Sequence, residues 1–126
     1  MTPNVPIIAT DPLAVEPSEL PVACSLSTDD LRRRGDDLRA LFAHAVAASE
    51  YPDGYGFAFP SEESEARALL DFVVFERACC PFFTFALTFP SPHDVILLQI
   101  RGNAEAKTIV TDLYLAVRDR LAASQR

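Results

Sequence analysis

Prolines constrain the fold of this chain more than any other residue type. The chain has ten prolines, and four of them (Pro3, Pro6, Pro12 and Pro17) fall within the first 19 residues. Proline lacks a backbone N–H group and fixes its φ angle, so this spacing forbids a helix and disfavours a central strand. We therefore predict an extended arm at residues 1–19, followed by a single domain at residues 20–126.

The later prolines mark where predicted elements end. Pro52 begins a Pro-Asp-Gly turn, Pro60 follows a run of alternating aromatic residues, and Pro81 disfavours helical geometry in the residue before it. Apolar residues at helical spacing predict three helices, at about residues 29–49, 61–80 and 104–123. Short apolar or alternating runs predict four strands, at about residues 21–26, 55–59, 85–89 and 95–101.

This order of elements, β-α-β-α-β-β-α, predicts an α+β fold. The simplest arrangement is a two-layer sandwich, in which a four-stranded, largely antiparallel sheet carries three helices on one face. We expect the arm or a second subunit to cover the other face, and a homodimer is therefore one expected partner.

Net charge and length narrow the functional classes. The formal net charge is −7, which argues against binding to nucleic acid or to an anionic membrane surface. No apolar run is long enough to span a membrane, and the first ten residues lack the pattern of a secretory signal. The cysteine count of three is odd, which fits a reducing compartment, and we expect a cytoplasmic protein.

Adjacent cysteines at positions 79 and 80 are the strongest chemical signal. Neighbouring cysteines rarely bond to each other, because the small ring is strained. They can instead both bind one soft metal ion, or one can resolve an oxidised form of the other. The predicted end of a helix disfavours a thiolate there unless a cation or a metal compensates. Glu76 lies three and four residues before the two thiols, on the same helix surface.

Cys24 is the third thiol and would complete a three-thiolate site if its strand lies beside the end of the second helix. Zinc usually requires four ligands, and the CxxC spacing typical of zinc sites is absent. Copper(I) and mercury(II) accept two or three sulfur ligands and fit better. His44 and His93 have no partner at a metal-ligand spacing, and we interpret both as incidental.

Two alternatives remain beside a soft-metal binding module. A thiol-dependent enzyme could use Glu76 as the acid in cleaving a carbon–mercury bond, or could cycle a disulfide between Cys79 and Cys24. A structural or interaction protein would keep the cysteines in its core as small apolar residues.

The run Glu76-Arg77-Ala78-Cys79-Cys80-Pro81-Phe82-Phe83 resembles the Glu-Arg-x-Cys-Cys-Pro-Phe motif of an uncharacterised family of small bacterial proteins. The similarity extends over roughly residues 20–120 and includes Cys24, the strand at Gly54–Phe59 and Gly102. The resemblance implies a connection with mercury or other metal resistance and brings no established activity. We therefore expect Cys79, Cys80 and Cys24 to bind copper, mercury or zinc, or a small thiol-reactive molecule.

Overall fold

Three helices and four strands make up the part of the chain that the structure, a computed structural model, describes: residues 28–91 and 94–125. In chain order they are α1 (Thr28–Phe42), β1 (Ala47–Tyr51), β2 (Gly54–Pro60), α2 (Glu63–Cys79), β3 (Thr84–Thr88), β4 (Val95–Arg101) and α3 (Ala104–Ala123). The predicted arm at residues 1–19 and the predicted strand at residues 21–26 lie outside the described residues.

The four strands form one sheet in the order β1-β2-β4-β3, and every neighbouring pair is antiparallel. Strands β2 and β3 both pair with β4 and therefore run parallel to each other, and α2 connects them as a split β-α-β unit. Leu98 of β4 lies opposite Phe57 of β2 and Leu87 of β3, so these three side chains form a row on one face. The predicted α+β class, with a four-stranded antiparallel sheet and three helices, is confirmed.

The core lies between this face of the sheet and the three helices. Each strand presents every second side chain to the helices, as the pleat requires. Phe42 at the end of α1 is 1% exposed, and its ring meets Phe57, Phe59 and Phe72 edge-on. The buried core residues, contributed by all three helices and both central strands, include Phe42, Tyr55, Phe57, Phe59, Leu69, Phe72, Ile96, Leu98, Ile100, Val110 and Val117.

Helix α1 ends at Phe42, although the apolar pattern predicted a helix to about Ser49. Its last carbonyls lack partners within the helix, and Arg120 of α3 donates to the carbonyls of Phe42 and Ala45 at 3.3 and 2.7 Å. The residues that follow form β1 and pair with β2. The part predicted as the last turns of α1 is therefore a turn at residues 43–46 followed by the start of an edge strand at Ala47.

The ends of α2 and α3 agree closely with the sequence. Helix α2 ends at Cys79, one residue before the predicted limit, and Cys80 is its C-cap. Helix α3 begins at Ala104, where the side chain of Asn103 accepts a hydrogen bond from the N–H of Ala106 at 2.8 Å. Within the described ranges, no helix combines the length and the apolar character needed to cross a membrane.

Candidate functional site

A cavity of about 490 Å³ lies between the three helices and the β3–β4 side of the sheet. Its wall is mostly apolar, with aromatic rings on the sheet side and an ion pair and two thiols at the end of α2. The lining residues that matter for its chemistry are Arg34, Phe72, Glu76, Cys79, Cys80, Phe83, Phe85, Ile100, Asp112, Leu113 and Ala116. The cavity therefore combines a polar, sulfur-containing side with an apolar interior.

Both predicted thiol residues line this cavity, and both are half-buried. The backbone N–H of Cys80 donates to the carbonyl of Glu76 at 2.6 Å, which closes the last turn of α2. The N–H of Phe83 then donates to the carbonyl of Cys80 at 3.2 Å, and Pro81 prevents the helix from continuing. Phe82, which is 1% exposed, anchors this turn in the core. The two thiols are thus held between a helix end and a buried turn.

Gly102 allows the turn that carries the thiols to approach the start of α3. A Cβ atom at position 102 would lie 2.8 Å from the Cβ of Ala106 and 3.3 Å from the carbonyl oxygen of Phe82. Both distances are shorter than ordinary van der Waals contact, so any side chain here would displace the turn or the helix. The sequence singled out Gly102 as a glycine after the last strand, but not for this close approach to α3.

An ion pair between Arg34 and Glu76 forms one wall of the cavity. The Nε of Arg34 donates to Oε1 of Glu76 at 2.6 Å, and the two side chains are only 20% and 10% exposed. The guanidinium also lies over the ring of Phe75, with its central carbon 4.3 Å from the ring centroid. One guanidinium nitrogen, Nη2, is buried and has no hydrogen-bond partner among the described residues. The carboxylate of Glu76 is therefore paired with Arg34.

The end of α2 places a partial negative potential at the thiols. Residues at the C-terminal end of a helix lie in its partial negative potential, which disfavours an isolated thiolate and stabilises a positive ion. Arg34 compensates the charge of Glu76. Arg77, in the last turn of α2, is exposed to solvent.

Metal ligands beyond the two thiols do not converge in the described part of the chain. Among residues 28–91 and 94–125, no group of three or more His, Cys, Asp or Glu side chains is placed to hold a metal ion. Cys24 lies outside the described residues, and its proposed approach to Cys79 and Cys80 stays a prediction.

His44 stands apart from the cavity. The Nδ1 of His44 lies 3.0 and 3.1 Å from the two carboxylate oxygens of Glu65, which is buried in the first turns of α2. Glu65 and Cys79 are 14 residues apart on the same helix, which corresponds to about 21 Å along its axis. His93 lies outside the described residues. The pair His44–Glu65 thus connects the end of α1 to α2 at a distance from the thiols.

Comparison of the chain with models of protein families, with curated proteins and with solved structures gave no match. The resemblance of the Glu76–Phe83 run to a family of small bacterial proteins therefore stays a prediction. The candidate site rests on its own geometry: two adjacent thiols, an ion pair and an apolar cavity.

Proposed function

We propose that this chain is a binding protein that holds one soft metal ion through Cys79 and Cys80. The observation that carries the proposal is that both thiol residues line the same cavity of about 490 Å³. Cysteines that served only as small apolar core residues would be enclosed by other side chains, whereas these two border open space. In the proposal Cys24 supplies a third ligand.

The chemistry of the site supports copper(I) or mercury(II) ahead of zinc. Thiolates are soft ligands that select such ions, and both ions accept low coordination numbers. Zinc almost always takes four ligands in a structural site, whereas two thiol residues line the cavity among the described residues. The helix end at Cys79 adds a partial negative potential that stabilises the cation.

Glu76 has a structural role in this proposal. Its Oε1 accepts the hydrogen bond from Arg34, so the pair fixes α1 against the end of α2 and keeps the cavity wall in place. The thiols must stay reduced to bind metal, which suits the cytoplasm. A metal-homeostasis or metal-resistance role follows from this chemistry.

The decisive experiment is to measure bound metal and accessible thiols together. The full chain, without a polyhistidine tag, is purified anaerobically and analysed by mass spectrometry for metal content and by thiol titration. We expect about one soft metal ion per chain after loading with copper(I) or mercury(II). The thiols should resist alkylation until a chelator removes the metal.

The double variant Cys79→Ser/Cys80→Ser is the matched control, because serine keeps the side-chain shape. Circular dichroism checks that it folds. We expect it to lose the metal. A variant that binds metal with the wild-type stoichiometry would overturn the proposal, as would a wild-type chain that ignores copper(I), mercury(II) and zinc.

Cys24→Ser tests the third ligand separately. Loss of an outer-shell partner typically weakens metal binding by about 10–100-fold, so loss of a direct ligand should weaken it by more than about 100-fold. An unchanged affinity would show that Cys79 and Cys80 bind the metal without Cys24.

A further inference from the structure

We propose that the ligand of this site is a soft metal centre that carries one apolar organic group, with the metal on the thiols and the organic group in the cavity. This inference rests on the proposed function and names the ligand class for the same site. An arylmercury(II) cation is an example of such a ligand. In this proposal the protein captures the compound with its carbon–mercury bond intact.

The size of the cavity carries the first step. A single water requires about 10–15 Å³ of such space, and a bare metal ion bound by two sulfurs needs little more. The observed volume of about 490 Å³ instead falls within the range of about 300–1,000 Å³ that small organic ligands occupy. A site for an ion alone would leave most of this space between the described residues without an occupant.

The wall beyond the thiols is suited to an aromatic or other apolar group. Phe72 and Phe85 meet edge-on, with ring centroids 5.8 Å apart and an interplanar angle of 89°. Phe83 extends this wall, with its centroid 5.8 Å from that of Phe85. Ile100 and Leu113 close the interior. An aryl ring entering here could add further edge-to-face contacts and would lose contact with water.

The number of sulfur ligands carries the third step. The described residues supply two thiols, and the carbon atom of the organic group takes the third position at the metal, which Cys24 occupies around a bare ion. On capture, each of the two thiols loses its proton to solvent and forms a sulfur–mercury bond, and the anion that accompanied the organomercury cation departs. The carbon–mercury bond stays intact, and no atom changes its oxidation state.

The test compares phenylmercury(II), methylmercury(II) and inorganic mercury(II) in competition with glutathione. Glutathione binds each compound through a thiol but has no cavity. The equilibrium constant for transfer of a compound from glutathione to the protein, here called the exchange constant, therefore isolates the contribution of the cavity. We expect the wild-type exchange constant for phenylmercury to exceed that for methylmercury by about tenfold or more, since a phenyl group buries much more apolar surface.

Two substitutions on α3 distinguish the cavity from the rest of the surface. Ala116→Phe places a ring in the cavity and should abolish the preference for phenylmercury over methylmercury. Ala122→Phe adds the same ring at an exposed position outside the cavity and should leave the preference intact. Circular dichroism verifies that both variants fold.

The outcomes separate the two proposals. Equal exchange constants for phenylmercury and methylmercury, or a preference that persists in Ala116→Phe, would overturn the organic ligand while inorganic mercury still binds at Cys79 and Cys80. If none of the three mercury species binds better to the wild type than to Cys79→Ser/Cys80→Ser, the soft-metal function itself is overturned.

Discussion

The ion pair between Arg34 and Glu76 is a largely buried contact at one wall of the cavity. Each is mostly shielded from water, and each compensates the charge of the other. Arg34→Met leaves the carboxylate of Glu76 buried without its cation, and we expect a loss of about 3 kcal/mol or more in the free energy of unfolding. Urea denaturation monitored by circular dichroism measures this change.

Two further variants serve as controls for that measurement. The double variant Arg34→Met/Glu76→Leu removes both charges and should recover much of the lost stability. Arg32→Met alters an exposed arginine on the same helix and should change stability by less than about 0.5 kcal/mol. Equal losses in the single and double variants would show that packing, and not an uncompensated charge, causes the effect.

Lys107 gives a pH dependence with a definite sign. Its Nζ donates to Oε2 of Glu50 at 2.8 Å and to the carbonyl of Tyr51 at 2.7 Å. The hydrogen bond to Glu50 raises the pKa of Lys107 above its ordinary value of 10.5, although burial partly offsets the rise. A raised pKa in the folded state means that the ammonium contributes to stability below pH 10.5 and that this contribution is lost as the pH rises further.

We therefore expect Lys107→Met to be less stable than the wild type from neutral pH to about pH 10, with the difference shrinking at higher pH. Urea titrations of both proteins between about pH 8 and pH 11.5 measure it. A difference that is constant over this range would assign the effect to packing rather than to charge.

At the site, the sequence identified the thiols but not the arginine. Cys79 and Cys80 stand out because they are adjacent and precede a proline, and both signals are local. Arg34 lies 42 residues before Glu76 and belongs to an Arg32-Arg33-Arg34 run that is typical of a solvated helix face. Only the packing of α1 against α2, a long-range feature, turns one of these three side chains toward the cavity.

Strands β2 and β4 approach each other closely at Gly54, so a side chain at this position would disturb their pairing. A Cβ at Gly54 would lie 2.0 Å from the carbonyl oxygen of Ile100, whereas a Cβ at Gly56 would meet the hydroxyl end of the Tyr51 side chain at 2.4 Å. A paired backbone cannot move without breaking the sheet, but a side chain can rotate. We expect Gly54→Ala to cost about 3 kcal/mol and Gly56→Ala about 1 kcal/mol.

Urea midpoints of the two glycine variants, measured side by side, test this difference. The pair is well matched, because both substitutions add one methyl group to the same strand. Equal midpoints would indicate that the β2–β4 pairing shifts to accommodate the extra atom.

The helices α2 and α3 and strands β2, β3 and β4 could be predicted from local patterns, because their apolar spacing, prolines and cap residues all agree. Strand β1 could not. Ala47, Ala48 and Glu50 have low strand propensity, and the apolar residues before them continue a helical spacing. Pairing with β2 and the hydrogen bonds from Arg120 override that pattern, and both depend on residues distant in sequence.

At the scale of the whole molecule, a ligand at the thiols should stabilise the fold, because the site joins the end of α2 to the turn before β3. A ligand that binds only the folded state adds about 2.7 kcal/mol at a free concentration of 100 times its Kd. We expect a smaller gain for the wild type loaded with mercury(II) under buffered conditions, because the thiols of the unfolded chain also bind the ion, and no gain for Cys79→Ser/Cys80→Ser. Thermal unfolding with and without metal measures it, and an equal gain in both proteins would contradict a site at these thiols.

The expected homodimer stays a prediction, which sedimentation velocity of the full chain tests.

Side chains of α1, α2, β3, β4 and α3 line the cavity. During biosynthesis the cavity is therefore complete only after α3, the last of these elements in the chain, has been made. After Cys80 leaves the ribosome, roughly forty more residues must follow before α3 is complete, which takes about 2–8 s at usual translation rates. Throughout that interval the two thiols have no α3 beside them. A newly made chain therefore exposes both thiols to cellular metals and oxidants until its last described helix docks.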